Sequence, residues 1–193
     1  MSAITILTKL VQAGMTPAGA CGMWGNIYAE SSGISNIAQR GMTKLSDADY
    51  TAAADNGTIN FVRDSVGYGL CQWTFWSRKQ NLLNYAKSKG VSVGDENMQI
   101  EFLISELKSE YTSVWNFLCS TDSVYDSADK VCRQFERPAV NNVDTRATYG
   151  NKAYSTYGVQ LKTPAVTDNN EAASEMSREA VIAQIKELLE KLK

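Results

Sequence analysis

Glu30 is the residue best placed to do chemistry, at the end of the run Met23-Trp24-Gly25-Asn26-Ile27-Tyr28-Ala29-Glu30-Ser31-Ser32-Gly33. On a helical period of about 3.6 residues Met23, Ile27 and Glu30 share one face, which sets an acid at the end of an apolar stripe. Burial against apolar side chains disfavours the ionised carboxylate, and the negative end of the helix dipole disfavours it too. A carboxyl so placed keeps its proton near neutral pH and can donate it to a glycosidic oxygen, as cleavage of an acetal requires. The plain alternative is a solvated glutamate at a fraying helix end. The choice between the two turns on what else the chain carries.

The run Gly67-Tyr68-Gly69-Leu70-Cys71-Gln72-Trp73-Thr74 carries two glycines that let backbone approach a ligand, and Gln72 beside Trp73 offers an amide next to an aromatic face. Sugar rings use both. The same run also reads as a tight turn into a core strand. Tyr68, Gln72 and Trp73 are the candidate substrate-binding residues. A second carboxylate is sought among Asp47, Asp49, Asp55 and Asp64, with Asp64 preferred because it directly precedes the glycine-rich run; each also reads as a turn or capping aspartate. Retaining glycosidases set their two carboxyls about 5 Å apart and inverting ones roughly 6.5 to 9.5 Å apart. Glu136, in Phe135-Glu136-Arg137-Pro138, reads as a structural glutamate holding backbone or arginine groups and is left out of the catalytic set. Arg63, Arg78 and Arg133 are ordinary partners for such acids.

Composition narrows the chemistry further. The chain has no histidine, which removes Ser/His/Asp and Cys/His nucleophilic catalysis and most catalytic zinc sites, so carboxylates must carry acid and base work. No cofactor or metal is called for. Cys21, Cys71, Cys119 and Cys132 form no C-x-x-C pair and read as buried, reduced thiols in preference to a disulfide. A formal net charge of -2, without a lysine or arginine run, argues against nucleic acid as a partner. Met1 to Gly14 has Lys9 inside its apolar stretch and lacks both a basic start and a small-residue cleavage site, so it does not read as a signal peptide, and no stretch reads as a membrane span.

The elements that must position Glu30 follow from the pattern. Ile4, Leu7, Leu10 and Val11 predict a first helix that Gly14 stops; Thr16 caps and Pro17 opens a second, running to about Glu30. Residues 31–66 are rich in Ser, Asn, Asp, Gly and Thr and predict loops with one small hairpin, Asp55-Asn56-Gly57 being the turn signal. Helical patterns resume after Thr74: one through Leu82, Leu83, Tyr85 and Ala86 to Gly90, one capped by Asp95, an apolar set at Val114, Phe117 and Leu118, one over Ser127 to Glu136, and a last element over Arg146 to Tyr157. The fold class is mainly α, a helical domain over 1–162. A small, polar linker follows at 163–176, and an amphipathic helix at 177–193 whose Val181, Ile185, Leu188 and Leu192 suit coiled-coil self-association, docking, or packing back on the body.

Taken together and in order, Gly22-Met23-Trp24-Gly25-Asn26 with Glu30-Ser31-Ser32, Asp64 through Thr74, and Phe135-Glu136-Arg137-Pro138 resemble the phage tail lysozyme family over about Thr5 to Tyr157. The resemblance implies a lysozyme-like helical fold and a cleft beside the end of the second helix. It puts the family's catalytic glutamate on Glu30 and the segment through Gln72 and Trp73 on the facing wall. The implied activity is cleavage of peptidoglycan between N-acetylmuramic acid and N-acetylglucosamine. A lytic transglycosylase, a glucosaminidase and a non-catalytic wall-binding tail module are the alternatives. The setting implied is a phage tail, or the host cytoplasm before release to the wall, with peptidoglycan and phage tail components as partners.

Overall fold

The computed structural model describes residues 2–162, so the expected linker at 163–176 and helix at 177–193 lie outside the described residues. Among the described residues there are eight α-helices and one π-helical turn, with no strand. Helix α1 (Ala3–Gln12) buries Ile6, Leu7 and Leu10, with Ile4 and Val11 half-buried at its margins, and the chain leaves it through Gly14 at φ 122°.

Helix α2 (Pro17–Ser31) forms as the sequence predicts. Thr16 Oγ1 accepts from the Gly19 amide at 2.9 Å, and Pro17 sits at the first helical position, where its missing N–H costs nothing. Every residue from Ala18 to Ile27 is buried, so α2 runs through the core, and α1, α6 and α7 pack against it. Small residues make that close packing feasible. A Cβ on Gly22 would lie 2.2 Å from Ser127 Cβ, and one on Gly25 would lie 2.1 Å from the carbonyl oxygen of Arg146.

Residues 31–66 differ from the expectation. They hold a helix, α3 (Asp47–Asp55), where loops and a hairpin were expected. Ser46 caps it by accepting from the Asp49 amide, and Asp55-Asn56-Gly57, the supposed hairpin turn, is the end of that helix, with Gly57 at φ 70°. The apolar face is short, only Tyr50 and Ala54 being buried, which is why periodicity did not reveal it. The nearest thing to a hairpin lies later, where Tyr68 and Trp73 exchange backbone hydrogen bonds at 3.2 and 2.9 Å and Tyr68 also bridges to Ala38.

The remaining helices are α4 (Trp76–Lys89), ended by Gly90 in the left-handed region, α5 (Glu96–Ser109), capped by Asp95, α6 (Thr112–Leu118), α7 (Val124–Val131) and α8 (Val143–Lys162). Between α7 and α8 the backbone widens into a π-helical turn over Cys132–Glu136, which closes through Arg137 at φ 51°, its amide donating to Cys132 at 2.8 Å. Such turns are rare and gather at functional sites. The four cysteines are free thiols, Cys119 partly exposed and the other three buried. Among the described residues, no helix is long and apolar enough to cross a membrane.

Gly25→Ala forces α2 and α8 apart, since the new methyl meets backbone and not a yielding side chain. Overpacking of this kind should lower stability by about 1 to 3 kcal/mol or more in denaturant unfolding. A variant as stable as the parent would mean that the α2–α8 approach is looser than described.

Candidate active site

A cavity of about 880 Å³ opens at the C-terminal end of α2. Glu30, Ser31 and Ser32 form one side, Ile37 to Arg40 a second, Cys71, Gln72, Thr74, Phe75 and Arg78 a third, and Glu136 to Ala139 a fourth. Its volume is that of a small-ligand site, and its lining is mostly polar.

Glu30 is held there by the end of its helix. The Ser31 hydroxyl donates both to Ile27, one turn back, and to the Leu70 carbonyl at 2.9 Å, tying α2 to the glycine-rich run. Ser32 then ends the helix at φ 55°. The expected purely apolar surroundings are not what Glu30 meets. Arg146 of α8 donates to Glu30 Oε1 at 2.6 Å, and its other terminal nitrogen donates to Asn26 Oδ1 at 3.1 Å. Arg146 is 5% exposed and the Glu30 side chain 20%. The stripe Met23-Ile27 does carry the helix into the core, but a buried cation sits at its end.

Glu136, set aside on sequence grounds, lines the same cavity. Its Oε1 is buried and has no hydrogen-bond partner among the described residues. Burial, and then the nearby Glu30 charge, push its carboxyl up to about 8 against the lesser opposing pull of Arg78 and Arg146. Arg78 does not discharge it directly, being engaged by Glu106 through two hydrogen bonds of 2.7 and 2.8 Å and stacked 4.5 Å over Phe135.

The other expected site residues divide. Gln72 lines the cavity, in a left-handed conformation at φ 44°, its amide nitrogen donating to Ile37 and Gly69 so that its oxygen is left to accept. Trp73 does not. It is fully buried, packs edge-on against Phe102, and donates from Nε1 to Glu106 at 3.0 Å. Tyr68 is equally buried, between Tyr50 and Phe61, with its hydroxyl on Thr51. Asp64 is not among the cavity-lining residues either; it accepts from Lys79 Nζ at 2.6 Å, the Tyr50 hydroxyl at 2.6 Å and the Val66 amide at 3.0 Å. Asp47, Asp49 and Asp55 serve as acceptors for the Ala38 amide, the Ser46 hydroxyl and the Val93 amide respectively. The four aspartates of this region are thus capping and pairing groups.

Sequence reasoning missed Phe75, Arg146 and the place of Glu136. Phe75 is 61% exposed at the cavity wall, an aromatic face where Trp73 had been expected to supply one. Its signal was an aromatic residue directly before a helix start, where an apolar side chain has no core to enter. Arg146 carried no local signal, since its partner is 116 residues away. Among the described residues, no group of three or more Cys, Asp or Glu is gathered to hold a metal ion.

A sequence model of the phage tail lysozyme family matches residues 2–157. No curated protein matches the chain.

Asp64→Asn should leave the fully buried Lys79 ammonium without its counter-charge, costing about 3 to 5 kcal/mol. Trp73→Ala should cost a similar 3 to 5 kcal/mol, roughly, through the cavity it leaves. In both, activity per folded molecule should stay close to that of the parent, measured after correction for the unfolded fraction; a selective loss of turnover in either would return that residue to the substrate site.

Proposed function

Because the chain belongs to the phage tail lysozyme family, a family of lysozyme-like peptidoglycan hydrolases, we propose that it hydrolyses the glycan strand between N-acetylmuramic acid and N-acetylglucosamine, with Glu30 as the general acid. The observation that carries this reading is the cavity at the end of α2, which brings Glu30 and Glu136 to one polar site flanked by amides and an exposed ring. Its substrate is a polar polymer, which suits a wall richer in hydrogen-bonding groups than in apolar area.

In this reading the strand lies across the cavity with a sugar against Phe75 and its acetamido and hydroxyl groups on Gln39 and Gln72. Glu30 gives a proton to the bridging oxygen as the bond from the anomeric carbon breaks. Positive charge developing on the ring is met by carboxylate at the same wall. A water then bonds the anomeric carbon and returns one of its protons to the protein, so one water is consumed per bond. Peptidoglycan is the partner, and the setting is a phage tail or lysin acting on the wall.

A lytic transglycosylase keeps the same acid but lets a hydroxyl of the sugar itself attack. Among the described residues no aspartate lines the cavity, and that observation favours keeping this second reading. Mass spectra of fragments released from purified walls separate the two, because the transglycosylase product is lighter by one water. The sugar found at the reducing end separates a muramidase from a glucosaminidase.

Glu30→Gln keeps shape and hydrogen bonding but delivers no proton. Cleavage should fall by roughly 10² to 10⁴-fold or more, with fold and wall binding kept. Activity within tenfold of the parent, roughly, on protein free of contaminating lysozyme would remove Glu30 from the role; wall binding with no cleavage by the parent itself would make the chain a binding module.

A further inference from the structure

The region behind Glu30 gathers more charge than one acid needs. Glu136, at the end of the π-helical turn, faces Glu30 from α2, Arg78 from α4, Glu106 from α5 and Arg146 from α8, with the thiols of Cys71 and Cys132 beside it. Arg40 and Arg137 also line the cavity, but both are exposed to solvent, Arg137 donating to Gln134. The set is therefore three carboxyls, with Glu106 buried, Glu136 buried at Oε1 and Glu30 20% exposed, against two guanidiniums already paired, Arg78 to Glu106 and Arg146 to Glu30, though Arg146 Nε is buried without a partner among the described residues. A third negative charge is costly where it falls on Glu136 Oε1, a buried atom without a donor among the described residues. One proton makes the set neutral. Among the described residues, the Oε1 of Glu136 is the buried carboxyl oxygen of this set that no donor satisfies.

We infer that Glu136 is a positioning residue for the cleavage reaction: it forms with Glu30 a pair of carboxyls that retains one proton between them, so that Glu30 has a proton to deliver at neutral pH despite its bond to Arg146. This inference rests on the assignment of Glu30 as the acid. In the resting site the proton sits on Glu136, whose Oε1 is buried, and Glu30 is paired with Arg146. The two arrangements of a single proton over two interacting carboxyls keep a constant ratio until the pair as a whole ionises. The site as a whole therefore keeps its one proton across neutral pH, available to the reaction from the pair. During cleavage the pair loses its proton to the bridging oxygen and regains one from the attacking water, so the account balances.

The test compares pH profiles of kcat/KM for parent, E136Q and E30Q on purified peptidoglycan. The parent should hold its activity up to an alkaline limb near 8. E136Q, which cannot carry negative charge, should move that limb down by about one pH unit or more and lose about tenfold or more at neutral pH, yet stay within a few-fold of the parent on the acid plateau. E30Q should be inactive throughout. A profile for E136Q that keeps the parent's limb overturns the inference while leaving Glu30 as the acid. Loss of E136Q activity at every pH with the fold intact overturns it differently, making Glu136 the donor itself. An active E30Q defeats the assignment beneath it. Carbon-13 titration of the glutamate carboxyls in the parent needs no variant and decides the matter even if E136Q does not fold: one carboxyl should keep its proton beyond neutral pH, and ionisation of all of them in the ordinary range overturns the inference.

Discussion

The bond between Arg146 and Glu30 is the interaction on which the site depends, and Gly25 makes it feasible. Helix α2 must pass through the core to carry Glu30 to the cavity, and α8 must come close enough to set a guanidinium at that helix's end. With a side chain at position 25 the Arg146 backbone could not approach. The contact then serves two ends at once. One guanidinium nitrogen bonds Asn26, which also donates to Gly22 and Ala128 and so ties α2 to α7, while another bonds Glu30. Three helices and the acid are fixed by one cation and one amide.

The facing wall is held by a comparable device. Gln99 of α5, fully buried, accepts from the Leu70 amide and donates to Ser35 and Val93, so three loop segments are pinned by one side chain. Glu106, two turns further along the same helix, accepts from Trp73 and from Arg78. Helix α5 thus supports the glycine-rich run from behind, and Trp73 acts as its anchor while Gln72, the residue before it, turns the opposite way into the cavity. A strained left-handed conformation at Gln72 is what allows neighbouring residues to serve core and site.

These arrangements are costly. A buried lysine paired to Asp64, the buried Arg146, the part-buried Arg78 and an unsatisfied carboxyl oxygen each carry desolvation that apolar residues of the same volume would avoid. The first is a structural clamp under α3. The rest surround the cavity, where unbalanced charge can hold and move a proton. Apart from that clamp, the costly charges gather at the cavity, a pattern expected of sites built for acid catalysis.

Local physics made much of this legible from residues alone. Thr16-Pro17 opened α2, Asp95 capped α5, Gly90 ended α4, and the apolar periods marked which helices would form, because caps and stripes act within a few residues of themselves. Glu30 and Gln72 were brought to the cavity from motifs readable in the chain. What the sequence could not determine was which way side chains in the glycine-rich run would face, so Tyr68 and Trp73 were taken for ligand contacts and are core, and Asp64 was taken for a second carboxylate and clamps Lys79. Glu136 and Arg146 show the same limit from the other side. Their importance comes from partners on other helices, more than a hundred residues from Glu30 in the chain, and only the packing of α2 against α7 and α8 brings those charges into one poorly solvated place, where charge balance begins to matter.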